Sequence, residues 1–220
     1  SNRINSITQG ANSKTYSYLP TGQITNDGTR SYTYNAQGRS ESISIGASSS
    51  FNAYDAFGQR IQKIGSNVGA VAQTLFVYDE AGQLLGEYTP QGQVIREYIW
   101  LENRLAGLRS YQYPNEILRV HTDHLGTPRA ISNNQNEVLW RWEGDQFGDV
   151  LPQSPVNLVM PLRHAGQYYD AEVNLFYNYF RDYDPITGRY VESDSSGLEG
   201  GLNTYGYVVG NALHLVDPQG

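Results

Sequence analysis

The residues with the clearest capacity for chemistry lie late in the chain. "RDYDPITGRYVESDSSGL" (residues 181–198) carries Asp184 in one Asp-x-x-x-Gly turn signal and then Asp194-Ser195-Ser196-Gly197. "LVDPQG" (residues 215–220) repeats the Asp-x-x-Gly spacing at Asp217. By itself such a unit is a turn: the carboxylate accepts backbone amides and the glycine supplies a positive φ. Arg181, closing the alternating stretch "LFYNYF", reads by itself as a surface or cross-strand partner.

Other candidate groups are weaker. His121, Asp123 and His124 in "HTDH" are metal-ligand types, but a site needs a third or fourth donor and none stands at a recognisable spacing. No metal or cofactor is expected. A Ser-His-Asp triad has no Gly-x-Ser-x-Gly elbow to support it. "GLEGG" (residues 197–201) has the glycine of a phosphate loop without its Lys-Ser/Thr pair or following helix. Trp100, Trp140 and Trp142, with Tyr111 and Tyr113, are either packing residues or the lining of a sugar-binding surface.

Behind these groups stands a framework of strands and turns. The 220 residues include 18 Tyr and 23 Gly but one Met, a balance that favours sheet and tight turns, with tyrosine hydroxyls free to stay wet at a sheet surface. "YLPTG", "YNAQG", "YDAFG", "YDEAG" and "YTPQG" begin at Tyr18, Tyr34, Tyr54, Tyr78 and Tyr88. Each is followed by a polar residue and usually by an apolar alternation, so the unit is strand, turn, strand. In this unit Asp55 or Asp79 accepts an amide two residues on, and Gly58 or Gly82 closes the turn. The uneven spacing suits antiparallel hairpins better than a strict solenoid. The reading is an all-β meander over about the first 110 residues, with no amphipathic helix of three turns.

Composition excludes several classes. The 15 Lys and Arg against 22 Asp and Glu leave a charge of −7, which gives a phosphate backbone nothing to attract it, so nucleic acid is not an expected partner. No apolar run is long enough to span a bilayer. No cysteine is present, which removes disulfides and thiolate metal sites. The N-terminus shows no signal peptide, and the chain reads as an excised piece.

The turn series resembles the YD repeats of the Rhs family of bacterial toxins, and the likeness sharpens from residue 118. "RVHTDHLGTPRAISNNQNEVLWRWEGDQFGD" (residues 119–149) resembles that family's His-x-Asp-His-Leu-Gly-x-Pro block, and "LRHAGQYYDAEVNLFYNYFRDYDPITGRYVESD" (residues 162–194) resembles its Arg-x-x-Gly-Gln-Tyr to Asp-Pro-x-x-Gly-Arg stretch. The resemblance implies a sheet that spirals into a hollow shell (residues 1–117), closed by an Rhs-associated core (residues 118–220) with a few short helical turns. It implies a C-terminal toxin domain of the same native chain held inside, and remaining shell subunits or a secretion-system component as partners. It also implies delivery out of the cell, and an aspartyl autoprotease that cuts after the Leu of a second Asp-Pro-x-Gly-Leu motif.

Carried over residue by residue, the first such motif falls on residues 194–198 and the second on residues 217–220, and the upstream arginine falls on Arg181. The implied catalytic set is Arg181, Asp194 and Asp217. Two carboxylates hydrolyse a peptide without metal when they share a proton, one activating water and the other the carbonyl, and an arginine orients them. Which aspartate is the base stays open. Ser195 stands where the family has Pro, adding a hydroxyl and an amide able to bond a carboxylate and lower its pKa. The leucine and scissile bond expected after Gly220 are not in this chain. Asn211 is expected to cap one helical turn that delivers Asp217. Two other readings stand beside the protease: an inactive structural shell, and an adhesion or carbohydrate-binding module resting on Trp140 and Trp142.

Overall fold

The computed structural model describes residues 2–66 and 72–220, and among them regular structure is almost entirely antiparallel β. Thirteen strands pair each with the next along the chain, from Ser17–Tyr18 to Val138–Arg141, in one sheet. A separate hairpin, Ser6–Gln9 with Asn12–Thr15, precedes it. A second sheet pairs Tyr168–Asp170, Leu175–Asn178, Arg181–Asp184 and Arg189–Tyr190 in order. Among the described residues the helical content is two 3₁₀ turns, Gly197–Gly200 and Val208–Gly210.

Local chemistry explains why the long sheet is a meander. Asp55 Oδ1 accepts the amides of Phe57 and Gln59, both at 2.9 Å, and Asp79 Oδ1 accepts those of Ala81 and Gln83 at 2.9 and 2.8 Å. One carboxylate oxygen thus holds two amides across the turn, and Gly58 closes it at φ 82°. Asn35, Asp123 and Asn133 make the same pair of bonds, which turns the chain back on itself each time.

The repeat tyrosines are less exposed than their composition suggested. The hydroxyls of Tyr34, Tyr54 and Tyr78 donate to the carbonyls of Ile24, Ser40 and Arg60 at 2.7, 2.8 and 3.1 Å. Each ring therefore spans to an earlier strand and satisfies a backbone acceptor there, rather than staying wet. Burial holds the Tyr54 and Tyr78 hydroxyls well above their ordinary pKa, so they stay donors.

The second sheet packs against the buried face of the first. Phe76, Tyr98, Leu108, Leu118, Ile131 and Trp140 of the long sheet, with Trp142 just past its last strand, share a core with Tyr168 and Tyr177 of the second. Ile24, Tyr32 and Ile43 share another with Val173, Leu175 and Val191. Buried charges join the two sheets as well: Arg60 pairs with Asp170 at 2.5 Å, and Lys63 with Asp170 and Glu172 at 2.8 and 2.9 Å. Burial opposes the Arg60 cation, but the Asp170 charge outweighs it and raises the guanidinium's pKa.

The boundary expected between residues 117 and 118 falls inside the ten-residue strand Tyr113–Thr122, where Leu118 is fully buried. Hydrogen bonding continues on both sides, to Arg104–Ser110 and to Pro128–Ser132.

Candidate functional site

The site forms where the second sheet ends. All four residues of Leu175–Asn178 and of Arg181–Asp184 are buried, so both faces of these strands are covered and the usual in–out alternation is lost. Arg181 is therefore an interior side chain, not the surface residue its position suggested. Its guanidinium lies over the Tyr190 ring, 3.7 Å from the centroid, and Nη1 donates to the Thr204 carbonyl at 3.2 Å. That stack leaves Nη2 free to face the aspartates.

Arg181 Nη2 lies 3.0 Å from Asp194 Oδ2 and 3.4 Å from Asp217 Oδ2. The three residues assigned by resemblance thus converge on one nitrogen. Each aspartate divides its two oxygens between a turn and this cation. Asp194 Oδ1 accepts the amide and hydroxyl of Ser196 at 2.8 and 2.5 Å, and Asp217 Oδ1 accepts the Gly220 amide at 3.0 Å. The turn-cap role and the paired-carboxylate role are carried by the same side chains.

The electrostatics differ from a proton-sharing dyad. Burial works to raise the Asp194 pKa, but the Ser196 hydroxyl and amide, and then Arg181, outweigh it and hold the carboxyl below its ordinary range. The donor is Ser196, not the Ser195 amide expected from the sequence. Ser195 instead lines an open cleft of about 320 Å³ bordered by Arg39, Gly58, Phe180, Arg181 and Glu192. A Cβ at Gly200 would sit 2.6 Å from Asp194 Oδ2, so that turn needs glycine to pass the carboxylate.

The last residues are docked. The Phe180 amide donates to the Gln219 carbonyl at 2.9 Å. Asn178 Nδ2 donates to the Asp217 carbonyl at 3.0 Å and to the Tyr190 hydroxyl at 2.8 Å. Tyr190 in turn donates to Asp217 Oδ2 at 2.8 Å. The turn before Asp217 is held by the Asn211 backbone carbonyl, which accepts the His214 and Leu215 amides at 3.2 and 3.0 Å. Asn178 and Tyr190 were not singled out from the sequence, because "FYNYF" and "GRYVE" look like ordinary strand alternation.

Beside this site lies a second carboxyl pair that sequence reasoning missed. Asp182 and Glu192 are 2% and 4% exposed, and the Asp182 amide donates to Glu192 Oε2 at 2.8 Å. Burial pushes Asp182 up to about 6, with the Asp170 charge adding to it, and burial together with Asp182 raises Glu192 well above its usual value. Of the acidic groups around Arg181, this is the pair whose environment favours a shared proton.

The remaining candidates have other roles. Asp123 caps a turn and pairs with Arg129 at 2.9 Å. His121 Nε2 meets Ser132 Oγ at 2.9 Å and His124 Nε2 meets the Leu213 carbonyl at 3.0 Å. Trp140 and Trp142 are buried in the core, so a glycan has no access to their faces. Among the described residues no helix is long and apolar enough to cross a membrane.

Comparison with known proteins places this architecture. The family model described as "Teneurin YD-shell" matches residues 1–205. The toxin protein Tse5 of Pseudomonas aeruginosa is 40% identical over 104 residues, 47% of this chain and 8% of Tse5. "Probable deoxyribonuclease RhsA" of Dickeya dadantii is 30% identical over 173 residues, 66% of this chain and 12% of that protein. The solved structure titled "Crystal Structure of TcdB2-TccC3-Cdc42" superposes on the whole chain with a TM-score of 0.66, at 17% identity and over 14% of its own length. At that identity the likeness is one of fold, and the chain spans a small fraction of each of these proteins.

Proposed function

This chain belongs to the teneurin YD-shell family, and we propose that it is a shell segment that severs its own polypeptide just beyond Asp217-Pro218-Gln219-Gly220. The observation that carries the reading is the convergence of Asp194 and Asp217 on Arg181 Nη2, at the place where residues 217–220 are held against residues 178–181. A cleavage site needs the target strand fixed beside the groups that attack it.

The chemistry follows from the donors and acceptors present. Asp194, held ionised, takes a proton from water as the water oxygen bonds to the carbonyl carbon. Arg181 stabilises the negative charge that develops on the carbonyl oxygen. When the C–N bond breaks, the proton on Asp194 passes to the departing amine, so the balance closes as one peptide bond plus one water gives an acid and an amine. Asp217, fixed by Tyr190 and Asn178, holds the strand in register. A carboxylate of lowered pKa is a weak base, but one cut per chain needs no turnover.

In this reading the shell encloses a C-terminal toxin domain that the cut frees, and further shell subunits or a secretion component complete the assembly. That one relative is named a toxin and another a probable deoxyribonuclease, each far longer than this chain, supports it. The division at 117/118 is then one of role, since a single sheet runs through it. A second reading, an uncut structural shell, draws on Ser195 and on the engagement of Asp194 by Ser196.

The test is to express the chain with its native continuation and weigh the products. The protease reading expects two fragments, with the break shortly after Gly220, and a single intact product from Asp194→Asn that still unfolds cooperatively on heating. Intact wild-type chain supports the structural shell and ends the protease reading.

A further inference from the structure

Six arginines are buried among the described residues. Arg30, Arg60, Arg96 and Arg181 each meet a carboxylate, at 2.8, 2.5, 2.6 and 3.0 Å. Arg39 gives Nη1 to the Tyr179 carbonyl and lies over Phe180 beside the open cleft. Arg163, 3% exposed, has no carboxylate within ion-pair distance among the described residues. Burying a cation without a counter-ion is costly, and such sites normally recover the cost through a partner.

The surroundings say what kind of partner fits. Nη1 is anchored to the carbonyls of Met160 and Leu162 at 2.7 and 3.0 Å. The Tyr169 and Trp142 rings flank the guanidinium, with centroids 4.8 and 5.1 Å away. Beside it opens a cavity of roughly 290 Å³, walled by Tyr169, Phe176, Val150, Leu151 and Asn174. Asn174 Oδ1 is taken by the Tyr169 hydroxyl at 3.1 Å, which leaves its amide nitrogen as a further donor. An anchored guanidinium beside an apolar chamber matches a planar carboxylate on a compact apolar body.

We infer that this cavity binds a small organic carboxylate, with Arg163 as its counter-ion. The volume is near the lower end for ligand pockets, so the ligand is of the size of a single aromatic ring with its acid group. A phosphate ester is a poorer match, because one arginine and one amide offer too few donors for a dianion. Burial, only partly offset by the Tyr169, Tyr98 and Tyr168 hydroxyls, lowers the Arg163 pKa to about 10, consistent with a site that gains on taking up an anion. Asp149, exposed on the cavity wall, repels the ligand. The inference does not depend on proteolysis.

Calorimetric titration of the 220-residue chain with benzoate tests it, with benzamide as the neutral isostere. Expected are saturable binding of benzoate and about tenfold weaker binding of benzamide, as loss of a charge-assisted pair implies. Leu151→Trp keeps Arg163 but fills the cavity from a position 62% exposed, and should abolish binding with the fold intact. Asp149→Asn should tighten it several-fold, and Arg163→Met should remove it. Absence of saturable binding at millimolar benzoate, equal binding of benzamide, or unchanged binding by the Leu151→Trp chain overturns the assignment. N-acetyl-glutamate amide, run in parallel, separates a free acid from a polypeptide side chain; its binding in place of benzoate also overturns the assignment.

Discussion

Replacing Asp182 by Asn should make the protein more stable at neutral pH and flatten its stability between pH 4 and 7. Asp182 and Glu192 are both buried, and Asp182 Oδ1 and Glu192 Oε1 have no hydrogen-bond partner of their own. Burial raises both pKa values, Asp182 to about 6. An acid whose folded pKa is raised binds its proton more tightly when folded, so its contribution is full below the unfolded pKa and is lost as pH rises through the folded one. From an unfolded value near 4 to about 6 is roughly two units, worth about 3 kcal/mol for a fully buried group. In a chain of this size that is on the order of 6–12 °C in Tm. The amide introduced by Asp182→Asn cannot ionise and can donate to Glu192, which removes the competition for the proton. Urea unfolding followed by tryptophan fluorescence at successive pH values measures the difference between variant and wild type. Other carboxylates with lowered pKa values, such as Asp170 and Asp194, lose their contribution at more acid pH and cancel in that difference. A variant-minus-wild-type profile that is flat from pH 4 to 7, or that falls with pH, refutes the shared-proton account.

The other predictions concern the frame and the cut. Arg60→Met should destabilise by about 3–5 kcal/mol, because Asp170 loses its closest cation in the interior; a change under about 1 kcal/mol in urea denaturation contradicts that. Gly58→Ala should cost at least ~1–2 kcal/mol, since φ 82° is strained for alanine and Arg39 crowds the space a Cβ needs; a thermal melt reads it. Tyr190→Phe keeps the ring under Arg181 but removes the hydroxyl that holds Asp217, and should slow cleavage of the extended chain by roughly tenfold, the scale of one hydrogen bond to a charged group. Time-resolved mass analysis of freshly translated chain gives that rate, and an unchanged rate removes Tyr190 from the positioning of the cut.

The turns were legible in the sequence because their physics is local. Asp55 reaches amides two and four residues ahead, and Gly58 needs only its own φ, so a five-residue window contains the whole explanation. The same window shows that the chain returns on itself repeatedly, and hence an antiparallel all-β fold. Arg181, Asp194 and Asp217 were placed by resemblance rather than by pattern. Only the folded chain shows that they meet, because Asp217 lies 36 residues beyond Arg181 and arrives through the docking of residues 217–220.

What tertiary structure alone decided is which polar groups go inside. Arg60 and Asp170 are 110 residues apart and pair only because the second sheet lies on the first. Asp182 and Glu192 sit in short stretches that read as half-exposed strand, and covering both faces turns them into a buried acid pair. Arg163 likewise becomes a guanidinium with no carboxylate at ion-pair distance among the described residues only once aromatic rings close around it. Turn chemistry needs near neighbours and is written in sequence order; burial depends on what packs across from each residue, and that is set by the fold as a whole.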